Sequence, residues 1–221
     1  MARVQAPERP LRKDAERNRQ RILDAARELF AEEGLGVTLN DVAHHAGVGV
    51  GTVYRRFPEK AQLVEELFEQ QIGQLVGLVE EGLADPDPWR GLTGFLRRNL
   101  EMQACDRAFR QLVLDTPEGA ERVGQIRDRM FPLAAALVQR AKDAGALRDD
   151  FQAEDVPMLM LMLTTILDSA RDVEPELWRR YLEIIIQGLR ADPVAPDPLM
   201  TPSLDAQQVP CVMAACKLPR R

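Results

Sequence analysis

The chain has 221 residues, 45% hydrophobic and 29% charged, with 35 acidic against 29 basic side chains and a net charge of −6. That length holds one large domain or a small one joined to a larger one, and the composition supports a packed core in water. Apolar runs fall short of the ~20 residues needed to cross a bilayer, three cysteines are too few for a disulfide framework, and the polar, basic stretch from Met1 to Lys13 lacks the apolar segment of a secretion signal. The expected compartment is the cytoplasm, without membrane contact.

Charge is unevenly spread. Residues 1–60 hold eleven Lys/Arg against nine Asp/Glu, and residues 61–221 hold eighteen against twenty-six. Residues 1–21 alone hold seven against three. A basic head on an acidic body fits a chain that meets a polyanion at one end only.

Residues 1–14 form a Pro- and Arg-containing arm without apolar periodicity, expected to be flexible. Ile22, Ala26, Leu29 and Phe30 recur at helical spacing and predict a first helix from about Ala15 to Glu33, stopped by Gly34. Thr38 opens a second helix, Leu39 to Ala46, in which Asp41 at the third position completes a pattern like a capping box. Gly47 ends it, and a short helix follows from about Val50 to Phe57. Pro58 is read as part of the first turn of a fourth helix running to about Leu83.

Asp85-Pro86-Asp87-Pro88 is a clear break. Beyond it, helices are predicted at about 89–105, 107–114, 118–131, 132–146, 155–170 and 175–190. Thr116-Pro117, Pro132, Gly145 and Glu174-Pro175 separate them. Nothing alternates with strand period. Residues 192–221 carry six prolines and little periodicity, and read as a disordered tail.

The informative stretch is Thr38-Leu-Asn-Asp-Val-Ala-His-His-Ala-Gly-Val-Gly-Val-Gly-Thr-Val-Tyr-Arg-Arg-Phe-Pro-Glu-Lys60. Two short helices joined by a tight Gly-containing turn make a helix-turn-helix. Val42, Ala43, Val48, Val53 and Phe57 can pack the pair onto the first helix, which leaves Val50, Gly51, Thr52, Tyr54, Arg55 and Arg56 facing outward. Each has a use on DNA. Gly51 lets backbone approach a groove edge; Thr52, Tyr54 and, where capping leaves it free, Thr38 can donate to phosphates. Arg55 can pair a phosphate or reach guanine. Lys60, in the first turn of the next helix, adds its ammonium to the positive end of the helix dipole, where a phosphate is favoured.

These residues resemble the tetracycline-repressor (TetR) family of regulators. Its pattern runs Thr, three residues, Ile/Val-Ala, two residues, Ala-Gly-Val-Ser, one residue, Gly-Thr, one residue, Tyr, one or two residues, Phe, two residues, Lys. Thr38, Val42-Ala43, Ala46-Gly47-Val48, Gly51-Thr52, Tyr54, Phe57 and Lys60 match it, over roughly residues 15–67. Gly49 departs, standing where the family usually has a capping serine, at a cost of a few tenths of a kcal/mol. The resemblance implies an all-α fold: a helix-turn-helix DNA-binding domain at 15–60, then a helical effector-binding and dimerisation domain at 61–191. It also implies a regulator, not an enzyme, that is a homodimer on double-stranded DNA and nucleoid-associated when bound. A palindromic operator and a small, largely apolar effector that releases it are expected.

The residues of the second domain add to this. Val156 to Leu167 is apolar nearly all round, and Leu177, Trp178, Tyr181, Leu182, Ile184, Ile185, Ile186 and Leu189 repeat the pattern. Helices apolar on every side must be covered on every side, so both are expected to form a four-helix bundle with a second copy. Leu163, Leu167, Trp178, Tyr181, Leu182, Ile185 and Leu189 are the expected interface. Phe95, Met102, Phe109, Met130 and Met162, with Asn99, Gln103 and Thr165 for polar contacts, are the candidate effector residues, although ordinary core packing accounts for any one of them. A ligand-independent dimer, controlled by a protein partner or acting architecturally, would need the same N-terminus. An enzymatic role lacks a catalytic Cys–His set, a Gly-rich phosphate loop or a metal-ligand cluster. His44 and His45, adjacent on one helix, cannot both face a single metal, and Cys211 with Cys216 has no further ligand nearby. No cofactor is expected.

Overall fold

The computed structural model describes residues 9–105, 119–191, 204–205 and 207–208. Among these the chain is all-α. The helices are α1 Arg9–Glu33, α2 Leu39–Ala46, α3 Val50–Arg56, α4 Lys60–Ala84, α5 Pro88–Cys105, α6 Gly119–Asp143, α7 Asp155–Ala170 and α8 Leu177–Leu189, with a 3-10 turn at Gly34–Gly36. The predicted helix at 107–114, Phe109, and nearly all of the 192–221 tail lie outside the described residues.

Three boundaries differ from expectation. α1 starts at Arg9, six residues before Ala15; Pro10 is tolerated in a first turn, and the Leu, Arg and Lys after it are good helix formers even without an apolar stripe. Pro58 lies in a bend, and α4 begins two residues later. Pro132 does not separate two helices but sits exposed inside α6. The buried positions Ala134, Leu137, Val138 and Ala141 follow it with helical period. Their packing outweighs the ~3 kcal/mol an interior proline costs.

The described residues divide into two compact units, the first ending at Gln70 and the second starting at Gln71. In the first, Ile22, Leu23, Ala26 and Phe30 of α1 are buried with Val42 and Ala43 of α2, Val53 of α3, Phe57, and Leu63, Leu67 and Phe68 of α4. At about 1.5–3 kcal/mol per large apolar side chain, this core is what holds two helices as short as α2 and α3 in place, since neither would persist alone.

The second unit has one continuous core. Val79 joins Leu92, Phe95, Leu96 and Leu100 of α5, Leu137, Val138 and Ala141 of α6, Leu147 and Phe151, and the inner faces of α7 and α8. Backbone bonds from Arg148 to Leu189 (3.0 Å) and from Ala191 to Ala146 (3.1 Å) tie the end of α8 to the loop after α6. α4 and α5 cross at two glycines: a Cβ on Gly91 would stand 2.2 Å from the Gly82 carbonyl oxygen, and one on Gly82 would stand 2.9 Å from that of Gly91. Arg140 of α6 donates to the Gly82 and Asp85 carbonyls at the open end of α4, satisfying acceptors a helix terminus leaves bare. Arg90 doubly engages Asp85 and, with the Asp87 amide, holds that carboxyl down to about 2. No described helix is long and apolar enough to cross a membrane.

Candidate nucleic-acid interface

α2 is fixed at both ends. The Thr38 hydroxyl accepts from the Asp41 amide (3.3 Å) and donates to Asp41 Oδ2 (2.6 Å), which also accepts from the Thr38 amide (2.8 Å). This is a complete capping box. The hydrogen bond from the Thr38 hydroxyl, then that from its amide, holds the Asp41 carboxyl below the usual carboxylate range. The Thr38 hydroxyl is thus engaged as a cap, with its proton directed to Asp41. At the other end Gly47 is left-handed, φ 61 and ψ 38, and its amide reaches back to the Ala43 and His44 carbonyls. Arg21 of α1 donates to the Ala46 carbonyl at 2.7 Å and the Gly47 carbonyl at 3.3 Å, so a charged donor from the first helix closes the turn.

α3 follows with Gly49 as its N-cap, without a side-chain bond; Thr52 N–H donates to the Gly49 carbonyl at 2.8 Å. Val53 and Phe57 are buried, and the opposite face presents Val50, Gly51, Tyr54 and Arg55 to solvent, with Thr52 half-buried beside them. Tyr54 is 44% and Val50 37% exposed, two of six large hydrophobics exposed among the described residues. An aromatic hydroxyl and a guanidinium on an otherwise small, apolar helix face can donate to phosphates and base edges while the backbone comes close.

Two expected contacts are more engaged than the sequence implied. Arg56 donates to Glu66 of α4 at 3.3 Å and its guanidinium lies 5.6 Å from the Phe57 ring centroid. Lys60 is half-buried with its ammonium 5.4 Å from the Phe30 ring centroid, and that burial pushes its pKa below the usual lysine value. His45 meets Glu28 at 2.7 Å, tying α2 to α1, and His44 is exposed. Arg21, Arg19, Glu28 and Glu66 had no signal in the pattern, because the partners they reach on other elements lie 10 to 47 residues away.

In the second unit the structure rearranges the two candidate sets. Leu163, Trp178 and Leu182 are at most 1% exposed within the single chain, and Leu167 and Leu189 are buried too. These five belong to the core of the single chain: the inner sides of α7 and α8 turn toward α5 and toward each other. Tyr181 is exposed and Ile185 half-buried. Met162 and Thr165, expected at an internal effector site, lie on the exposed side of α7. Phe95 and Asn99 are buried in α5, where Gln103 donates to Asn99 at 3.0 Å; Met102 and Met130 are half-buried. Among the described residues, the large hydrophobics left exposed outside α3 are Met162, Val173, Tyr181 and Ile184, all on α7, α8 or the loop joining them.

Comparison with known proteins follows the same division. Residues 22–67 match the model for bacterial regulatory proteins of the tetR family, and residues 87–191 match that for the C-terminal domain of SbtR-like transcriptional regulators. The chain is 41% identical over 63 residues to an HTH-type transcriptional regulator of Staphylococcus aureus, a match spanning 28% of this chain and 34% of that protein. It is similar to a crystal structure of a TetR transcription regulatory protein from Mycobacterium vanbaalenii, with 31% identity, a TM-score of 0.64, and coverage of 82% of this chain and 99% of that one. A structure of the transcriptional regulator FadR from Bacillus subtilis in complex with stearoyl-CoA shares the fold at 18% identity, with a TM-score of 0.61 and coverage of 77% and 98%.

Proposed function

The chain belongs to the tetR family of helix-turn-helix transcriptional regulators, and from that premise we propose that it represses as a homodimer on a palindromic operator, which a small, largely apolar effector releases. The observation that carries the reading is the solvent-facing side of α3, where Val50, Gly51, Tyr54 and Arg55 stand on a core that fixes their direction. Two such faces related by a two-fold axis read half-sites about one helical turn, roughly 34–36 Å, apart.

The dimer face is the outer side of α7 and α8, centred on Met162, Tyr181 and Ile184, with Thr165 and Ile185 at its edge. Among the described residues the large apolar side chains exposed outside α3 gather on two neighbouring helices and the loop between them, which marks an interface. The effector binds in the second unit. Phe95, Met102 and Met130 are the surviving apolar candidates, and the Asn99–Gln103 amide pair supplies donors and acceptors. The stearoyl chain of the ligand in the FadR structure supports an effector with a long apolar part. Occupancy changes the separation of the two reading heads and so weakens operator binding.

The test is binding to a set of single-base operator variants at two salt concentrations. Tyr54→Phe and Lys60→Ala weaken all sequences alike. Lys60→Ala also lowers the salt slope by about one per subunit. Arg55→Ala costs about 1–3 kcal/mol and relaxes preference at one position per half-site if Arg55 reads a base. Unchanged affinity in all three variants would remove α3 from the DNA.

A further inference from the structure

Glu66 of α4 is 22% exposed, and a single carboxylate oxygen, Oε1, accepts from two guanidiniums. One is Arg19 Nε from α1; the other is Arg56 Nη2 from the last turn of α3, at 3.3 Å. The two are not held alike. Arg19 is 24% exposed, sits closer, and also donates to Glu16 at 2.8 Å. Arg56 is 52% exposed and gives Glu66 one long hydrogen bond. Two positive charges of the DNA-binding unit therefore meet at the Glu66 carboxylate, and the looser of the two is the next residue after Arg55.

This arrangement has an electrostatic consequence. Sequence-independent affinity for DNA comes from neutralised phosphates, and a carboxylate beside the contacting helix subtracts from it. A guanidinium binds phosphate best as a two-pronged fork, which the single bond to Glu66 does not match. Arg56 can exchange partners where α3 is seated closely enough to bring a phosphate to it. After the exchange Glu66 keeps Arg19, so no half-buried charge is left bare. On loosely held, non-specific DNA the exchange does not happen, and Arg56 contributes nothing.

We propose that Glu66 is a positioning residue that widens the gap between operator and non-operator affinity: it keeps Arg56 paired until a backbone phosphate of the correctly docked site takes it over. The inference rests on the assignment of α3 to DNA. The experiment uses the full chain, a duplex that the wild type enriches from a randomised pool, and a mixed-sequence duplex of equal length, each titrated across a series of KCl concentrations.

Glu66→Gln keeps the shape and an acceptor oxygen but removes the charge. It should raise affinity for the mixed-sequence duplex roughly threefold or more and steepen its salt slope by about 0.9 per subunit, with a smaller change on the enriched duplex, so that the affinity ratio falls. Arg56→Gln should lower the salt slope on the enriched duplex by about 0.9 per subunit and change the mixed-sequence affinity and slope less. A ratio unmoved by Glu66→Gln at an unchanged melting temperature overturns the proposal, and so does an unmoved enriched-duplex slope in Arg56→Gln. Should Glu66→Gln not fold, Arg56→Gln decides alone. If the wild type binds but Tyr54→Phe, Arg55→Ala and Lys60→Ala all bind like it, the assignment of α3 fails and this inference falls with it; if those variants weaken binding and the Glu66 and Arg56 results are negative, only this inference falls.

Discussion

In the first unit the path of the chain around α2 and α3 depends on residues that are not core: Thr38, Asp41, Gly47 and Arg21 hold two helices of eight and seven residues at a fixed turn. In the second unit the helices are longer, and their placement depends on side chains chemically alike, such as Leu163 at 0% and Met162 at 57% exposure one residue apart. The first unit is specified by a few hydrogen bonds of known geometry, each removable singly. The second is specified by which side of an almost uniformly apolar helix is covered, and by what. Losing one of those hydrogen bonds should therefore do modest harm in the first unit, whereas single changes on the apolar helices of the second should divide sharply into two kinds.

The largest effects should come from that division. Leu182→Ala, at 1% exposure in the second core, removes buried methyls and leaves a cavity, costing about 2–5 kcal/mol. Urea unfolding would register it as a lower midpoint. Ile184→Arg, at 53% exposure two residues on, should leave the fold of the protomer intact and convert the dimer to monomers, because a charge would be buried unpaired between copies. Sedimentation velocity separates the outcomes. A dimeric Ile184→Arg variant would place the interface elsewhere and break the distinction between the two faces of α8.

Gly91→Ala should come next. The added methyl would meet the Gly82 backbone at 2.2 Å, an atom that cannot rotate away, so α4 and α5 must separate at a cost of about 1–3 kcal/mol. A melting temperature within a degree of wild type would show that the crossing is softer than its geometry. In the first unit, Gly47→Ala at φ 61 carries about 1–2 kcal/mol of left-handed strain, and Thr38→Ala about 1 kcal/mol for a lost cap. Thr38→Ala has a second signature. The Asp41 carboxyl is held below its ordinary value in the folded chain. Its stabilisation is therefore present above the unfolded pKa and is lost as pH falls through the folded one. Removing the Thr38 hydroxyl should flatten that acid-side loss, measurable as stability against pH from the ordinary carboxylate range downward.

The same contrast explains what was legible in the sequence. The capping box, the Gly47 stop, and the outward set Val50, Gly51, Tyr54 and Arg55 could be read from spacing because each depends on neighbours within four residues. Arg21 on the Ala46 carbonyl and Glu66 under Arg19 and Arg56 could not, since pairs 10 to 47 residues apart leave no local pattern. In the second unit the apolar character of Trp178, Leu182 and Leu189 is legible but the side that covers them is not, because periodicity does not tell cover supplied by α5 from cover supplied by a partner. Pro132 looks like a break because its cost is local, whereas the packing of Ala134 to Ala141 that carries α6 through it is not. Gly82 and Gly91 were invisible for the same reason: their close approach exists only once two helices cross.

The smallest predicted effect tests the first unit most finely. Gly49 caps α3 with extended backbone, φ −64 and ψ 135, and makes no side-chain bond to it. A serine there would place its hydroxyl to accept from the free amides of the first turn, and nothing crowds it: a Cβ at position 49 would lie 3.7 Å from Thr52 Oγ1, an ordinary contact. Gly49→Ser should therefore stabilise the protein by a few tenths of a kcal/mol, with a rise in urea midpoint and no change in slope. The added hydroxyl is spent on the helix itself, and Val50, Tyr54 and Arg55 keep their directions. Operator preference measured across single-base variants should then be unchanged. A shift in preference would mean that the Gly49 backbone itself lies against DNA, and that the turn before α3 reads the groove along with the helix.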